Sequence, residues 1–291
     1  MSTSELTRPT SFGLLDRPVP LSTRLLRSEL RLVFRRRRNV AILGVLACAP
    51  VLLGIAIKIG GGGDGGGGGP AFIGQITRNG LFLAFTSLVV TLPLFLPLAV
   101  SVVSGESVAG EASAGTLRSL LVVPVGRTRL LLVKFAGIVA FGLAAAAVVG
   151  AMGVIVGVLL FPTGPVTLLS GSTISFGSAL VRVLLVVLYV GAMLAGVGAI
   201  GLFISTLTEV PLAAMAATAI TVVVVAILDS VPQISAIHPY LFVQWWFSFG
   251  DLIRDPVVYG PMVHGLVVHA VYVAVFGSLA WARLTTKDVS G

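Results

Sequence analysis

Charge is scarce in this chain: Asp, Glu, Lys and Arg make up 10% of its 291 residues, against about a quarter in ordinary soluble domains. That shortage leaves no room for a sizeable soluble enzyme domain. Cysteine is nearly absent as well. Cys48 stands alone in an apolar run, which excludes an intrachain disulfide and reads as a small buried hydrophobe. The three histidines, His238, His264 and His269, lack metal-ligand spacing, and the last two do not share a helical face as an i, i+4 pair would. No metal site and no catalytic constellation is predicted. No acidic residue falls in the middle of a predicted span, whereas ion-coupled carriers keep such groups near the midplane despite a cost of ~2.5 to 3.5 kcal/mol. A voltage-sensing arginine ladder and a pore-lining ring are missing too.

What is present is apolar. Hydrophobic residues form 56% of the chain and mean hydropathy is +1.07. Since about 20 apolar residues cross a bilayer, the runs predict an all-α integral membrane protein with six spans: 40–57, 79–104, 129–161, 176–206, 210–228 and 262–282. Pro93 and Pro97 predict a kink in the second half of span two. The net charge of +8 clusters beside the spans, where topology and anionic lipid account for it and nucleic acid does not.

In chain order, residues 1–21 read as a tail, and no secretory signal is evident. Residues 22–38 set Arg24, Arg27, Arg31 and Arg35 opposite Leu26, Leu30 and Val33, the pattern of an interfacial amphipathic helix. Glu29 falls on its apolar side, where contact with another helix and snorkelling to water both remain open. The single transmembrane domain covers 39–283. Within it, the glycine-rich loop of 60–78 reads as an external linker, because its glycines lack the Lys-Ser/Thr pair of a phosphate loop. Residues 230–261, with Phe242, Trp245, Trp246 and Phe249, read as an external re-entrant segment of one or two short helices. Residues 284–291 form a second tail. Six spans put both termini on one side, and fifteen of the nineteen Lys and Arg then lie there. The positive-inside rule makes that side cytoplasmic, together with 105–128.

That polar stretch, GESVAGEASAGTLRSLLVVPVGRT, predicts a short helix starting at Ser113 or Gly115, with Leu117, Leu120 and Leu121 on one face and Pro124 ending it. Glu106, Glu111, Arg118 and Arg127 would rim that face. The residues alone leave two options open, docking into a soluble subunit or resting on the bilayer.

Glu111, Gly115-Thr116-Leu117, Leu120-Leu121, Pro124-Val125, Arg127 and Lys134 resemble the E-x-x-x-G-T-L-x-x-L-L-x-x-P-V-S-R…K signature of type-2 ABC transporter permeases, and the likeness extends over the whole chain. Gly126 stands where the family usually has Ser, and Ser113 where it often has a second acid. The resemblance implies a coupling helix between spans two and three, seated in a separate ATP-binding subunit present in two copies, which would hold ATP and Mg. No Walker-type sequence occurs in this chain, so the resemblance implies a transport subunit and not an enzyme. It also implies a second permease chain meeting this one through spans one and five. Phe82, Phe85, Thr86, Met215, Thr218 and Val222 would line a substrate path. The expected function is export of hydrophobic or amphipathic drugs, antibiotics or lipids across the plasma membrane; the alternative is a non-transporting anchor that tethers a soluble ATPase complex.

Overall fold

The structure, a computed structural model, describes residues 23–60, 76–77, 79–115, 126–168 and 170–286. Residues 1–22, most of the expected glycine-rich linker, Thr116, Leu117, Arg118, Leu120, Leu121, Pro124 and residues 287–291 lie outside the described residues; the expected second tail is helical over 284–286.

Long apolar runs without internal hydrogen-bond partners other than their own backbone fold as helices, and the described residues form eight: α1 (Thr23–Arg35), α2 (Arg37–Gly60), α3 (Phe82–Thr91), α4 (Phe95–Ser113), α5 (Arg127–Leu160), α6 (Phe176–Leu207), α7 (Pro211–Asp229) and α8 (Gly260–Thr286). Five of them, α2, α5, α6, α7 and α8, are long and apolar enough to cross a membrane, and α3 with α4 make a sixth if that bent pair counts as one span. The protein is a membrane-embedded helical bundle.

The pair α3/α4 bends by 56°. Pro93 sits in the break at residues 92–94, where it removes an N–H from the ladder, and Leu94 leaves the helical region (φ −135°, ψ −57°). Helix α4 then continues past the expected span end at 104 as far as Ser113. The first part of the polar stretch is therefore helix and not loop.

α6 forms the centre. Its most apolar window is 72% buried, against 17% in α7 and α8, and it packs on α4, α5, α7 and α8. Glycines let the backbones close up. Gly80 and Gly157 face each other so tightly that a Cβ on either would meet the other's carbonyl oxygen, and one on Gly105 would come within 2.6 Å of the Met215 backbone nitrogen on α7. Cys48 is exposed on α2 rather than buried, because α2 turns much of its surface outward.

Between α5 and α6 the chain makes a two-stranded hairpin, Val166–Thr167 with Thr173–Ile174. The segment before α8 forms two 3-10 helices, Pro232–Tyr240 and Phe242–Ile253, consistent with the short helices expected there. Phe242, Trp246 and Phe249 are buried against the bundle.

Candidate functional site

Apolar helices carry few charges, and three of them, from three different helices, meet at one end of the bundle. Glu29 lies on the inner flank of α1, Glu111 in the last turn of α4, and Lys134 two turns into α5. The Lys134 ammonium donates to both Glu29 oxygens at 3.1 Å and to Glu111 Oε1. Side-chain exposure is 7% for Lys134, 14% for Glu29 and 17% for Glu111. Water screens such a triad weakly, so each member depends on the others.

A second ionic group adjoins it. Glu106, one turn earlier on α4, is paired with Arg36 at 2.6 Å and with Arg38. Asn39 Nδ2 donates to the Val33 carbonyl at 2.9 Å, which closes the corner between α1 and α2. The two groups border one cavity of about 420 Å³ between α1, α2, α4 and α5.

Arg127, in the first turn of α5, donates to the carbonyls of Leu284 and Thr285 at 3.1 and 2.7 Å. A guanidinium there satisfies two terminal carbonyls of α8 and complements the negative end of its dipole. Trp281 Nε1 adds a bond to Thr128 Oγ1 at 2.8 Å. The start of α5 is thus fastened to the end of α8.

Beside Gly105, α4 is met by a polar side chain of the central helix. Ser205 of α6 inserts its hydroxyl there, accepting from the N–H groups of Val108 and Ala109 at 3.0 and 2.9 Å and donating to the Gly105 carbonyl at 2.7 Å. The outer turns of α4, which bear Glu106 and Glu111, are tied to the central helix at this point.

The predicted coupling residues divide accordingly. Glu106, Glu111, Arg127 and Lys134 come together around the two flanks of the segment 116–125, and each is engaged by this chain's own helices rather than standing at a solvent-facing rim. The expected helix start at Ser113 or Gly115 is instead a helix stop: Ala114 caps α4 and Gly115 adopts φ +69°, a left-handed conformation that glycine takes without strain. Gly126 is the residue before α5 and offers no side-chain cap. A serine at that position could accept from the first orphan N–H groups.

The predicted path residues lie elsewhere. Phe82, Phe85 and Thr86 are buried on α3, whose principal neighbours are α2 and α5, while Thr218 and Val222 are buried on α7, which packs on α4 and α6. Met215 is half-buried. A single chain does not bring these two sets together. They line neither the ionic cavity nor the apolar grooves of about 400 and 510 Å³ on α5. Among the described residues no group of three His, Cys, Asp or Glu side chains is placed to hold a metal ion.

Sequence reasoning missed Ser205, Asn39 and the pairing of Glu106 with Arg36 and Arg38. The usable signal for the triad was complementarity, with one acid on the apolar flank of an amphipathic helix and one lysine within an apolar run. Serine at 205 carries no comparable signal, since hydroxyls in membrane helices commonly bond to their own backbone, as Thr86, Ser87 and Ser101 do here.

The chain belongs to the family described as protein of unknown function (DUF2705), which matches residues 71–290. The match contains Glu106, Glu111, Arg127 and Lys134 and leaves α1 and α2 outside. No curated protein matches the chain.

Proposed function

We propose that this chain is the permease subunit of an ATP-driven exporter for hydrophobic or amphipathic molecules, with residues 105–128 transmitting force from a separate ATP-binding subunit. The observation that carries this reading is the double anchoring of the segment 116–125. Its leading flank is held through Glu111 and Lys134 to α1 and α5, and its trailing flank through Arg127 to α8. A displacement of that segment reaches four helices at once, which is what a force-transmitting loop requires. A loop resting on lipid has no need of buried ion pairs on its flanks.

In this reading the ionic end faces the cytoplasm, as the arginine bias favours. Among the described residues no acidic side chain lies in the middle of a membrane-crossing helix to harvest a gradient, so in this reading the energy enters through the partner. ATP and Mg belong to that partner, present in two copies. A second permease chain completes the path by facing the α3 and α7 residues across the two subunits.

Leu120→Arg tests the reading. With the ATP-binding subunit co-expressed, the variant inserts into the membrane normally but loses transport and substrate-stimulated ATP hydrolysis. Transport at the normal rate would show that the segment does not dock. Normal docking with ATP hydrolysis that never responds to substrate would favour a non-transporting anchor.

A further inference from the structure

Helix α1 has two different faces, and each has its own partner chemistry. Arg24, Arg27, Arg31 and Arg35, followed by Arg37 at the start of α2, are exposed and form no ion pair among the described residues. Leu32 beside them and Leu26 across the helix are 51% and 36% exposed. An acidic soluble protein would satisfy the arginines and leave the leucines in water. A bilayer surface with anionic headgroups satisfies both. The helix is also fixed at that level, because only Arg36 separates it from the membrane-crossing α2.

The inner flank carries Glu29, which reaches Lys134 and through it Glu111. Glu29 has little room to move by itself: a Cβ on Gly137 of α5 would lie 3.2 Å from its Cγ. A shift of α1 on the membrane surface must therefore displace Glu29 relative to Lys134, and that alters how the ammonium is shared between Glu29 and Glu111.

We infer that α1 is a sensor of anionic lipid, in which headgroup phosphates on its arginine face set the seat of Glu29 and, through Lys134, the order of the last turns of α4. The physical link needs nothing from the exporter reading; its consequence, a lipid-dependent coupling segment, rests on that reading.

The test is amide hydrogen exchange on the full chain, in phosphatidylcholine vesicles with and without phosphatidylglycerol. It needs no ATPase, so its failure is distinct from failure of the exporter reading. Phosphatidylglycerol is expected to slow exchange in α1 and in residues 106–113 by about fivefold, the low end for linked sites, and high salt to reverse the effect. Glu29→Gln is expected to keep the slowing in α1 and lose it in 106–113, with α6 unchanged as the check on folding. Three results would overturn the inference. One is equal exchange of 106–113 in both lipids for the natural chain, a comparison that stands even if the variant fails to fold. Another is undiminished slowing of 106–113 in Glu29→Gln. The third is the same slowing from inorganic phosphate added to phosphatidylcholine vesicles, which would assign the arginine face to a soluble anion.

Discussion

The two ends of the bundle are held together by different physics. At one end the helices meet through ions: Lys134 with Glu29 and Glu111, Glu106 with Arg36 and Arg38, and Arg127 on the end of α8. At the other, rings do most of the work. Phe242, Trp246 and Phe249 are buried, Phe242 packs against Trp246, His269 and Tyr272 at 5.4 to 6.3 Å, and Trp245 sits 4.4 Å from His264. Among the described residues the cations at that end bond mainly to backbone, Arg182 to the carbonyls of Leu252 and Arg254 and Lys58 to that of Leu160, and their one carboxylate contact is the exposed Arg254 with Asp251 at 3.7 Å. Ion pairs can exchange partners and respond to salt, lipid and added charge, whereas a packed aromatic cluster has one arrangement and little sensitivity to the medium. The contrast implies an adaptable end and a fixed end.

The largest effect is expected at the fixed end. Trp246→Ala removes a nearly fully buried ring and should lower stability by about 4 kcal/mol through lost burial and the remaining cavity, equally at low and high salt, as read from unfolding midpoints in lipid bicelles. A marked salt dependence of that loss would break the comparison. Next, Lys134→Ala strands two carboxylates that are mostly removed from water. The cost should be about 3 kcal/mol, near the lower bound for breaking a buried pair because both acids retain some exposure. Adding Glu29→Gln and Glu111→Gln to that variant should restore most of it. No recovery would mean that Lys134 contributes by packing its stem and not by charge. The smallest effect belongs to Arg38→Gln, whose side chain is 42% exposed: below about 1 kcal/mol, and vanishing at high salt.

Much of the fold is legible in the sequence because the membrane simplifies the problem. Uncharged runs of this length have one way to satisfy their backbone, so spans one, three, four, five and six match α2, α5, α6, α7 and α8 within a few residues. Pro93 announces the bend between α3 and α4 for an equally local reason. The boundary of the polar stretch does not follow from polarity. Glu106 and Glu111 read as loop residues, yet α4 extends through both, because Arg36, Arg38 and Lys134 wait there from other helices. The site was half legible. Glu111, Arg127 and Lys134 belong to a signature that resembles a known one, but whether their charges point to a partner or back into this chain depends on what lies across from them.

The amino-acid sequence by itself determined that this is a membrane protein, where its helices run and bend, and which of its ends is basic, since hydropathy, proline and charge act over a few neighbouring residues. The tertiary structure alone decided that Glu29 of α1 and Glu111 of α4 share the ammonium of Lys134, that Ser205 of α6 bonds three backbone groups of α4, and that Arg127 closes α8. Each of those contacts joins residues 23 to about 160 positions apart. No local preference encodes them; only the packing of apolar helices, which leaves the few polar groups nothing else to bond, brings them within reach.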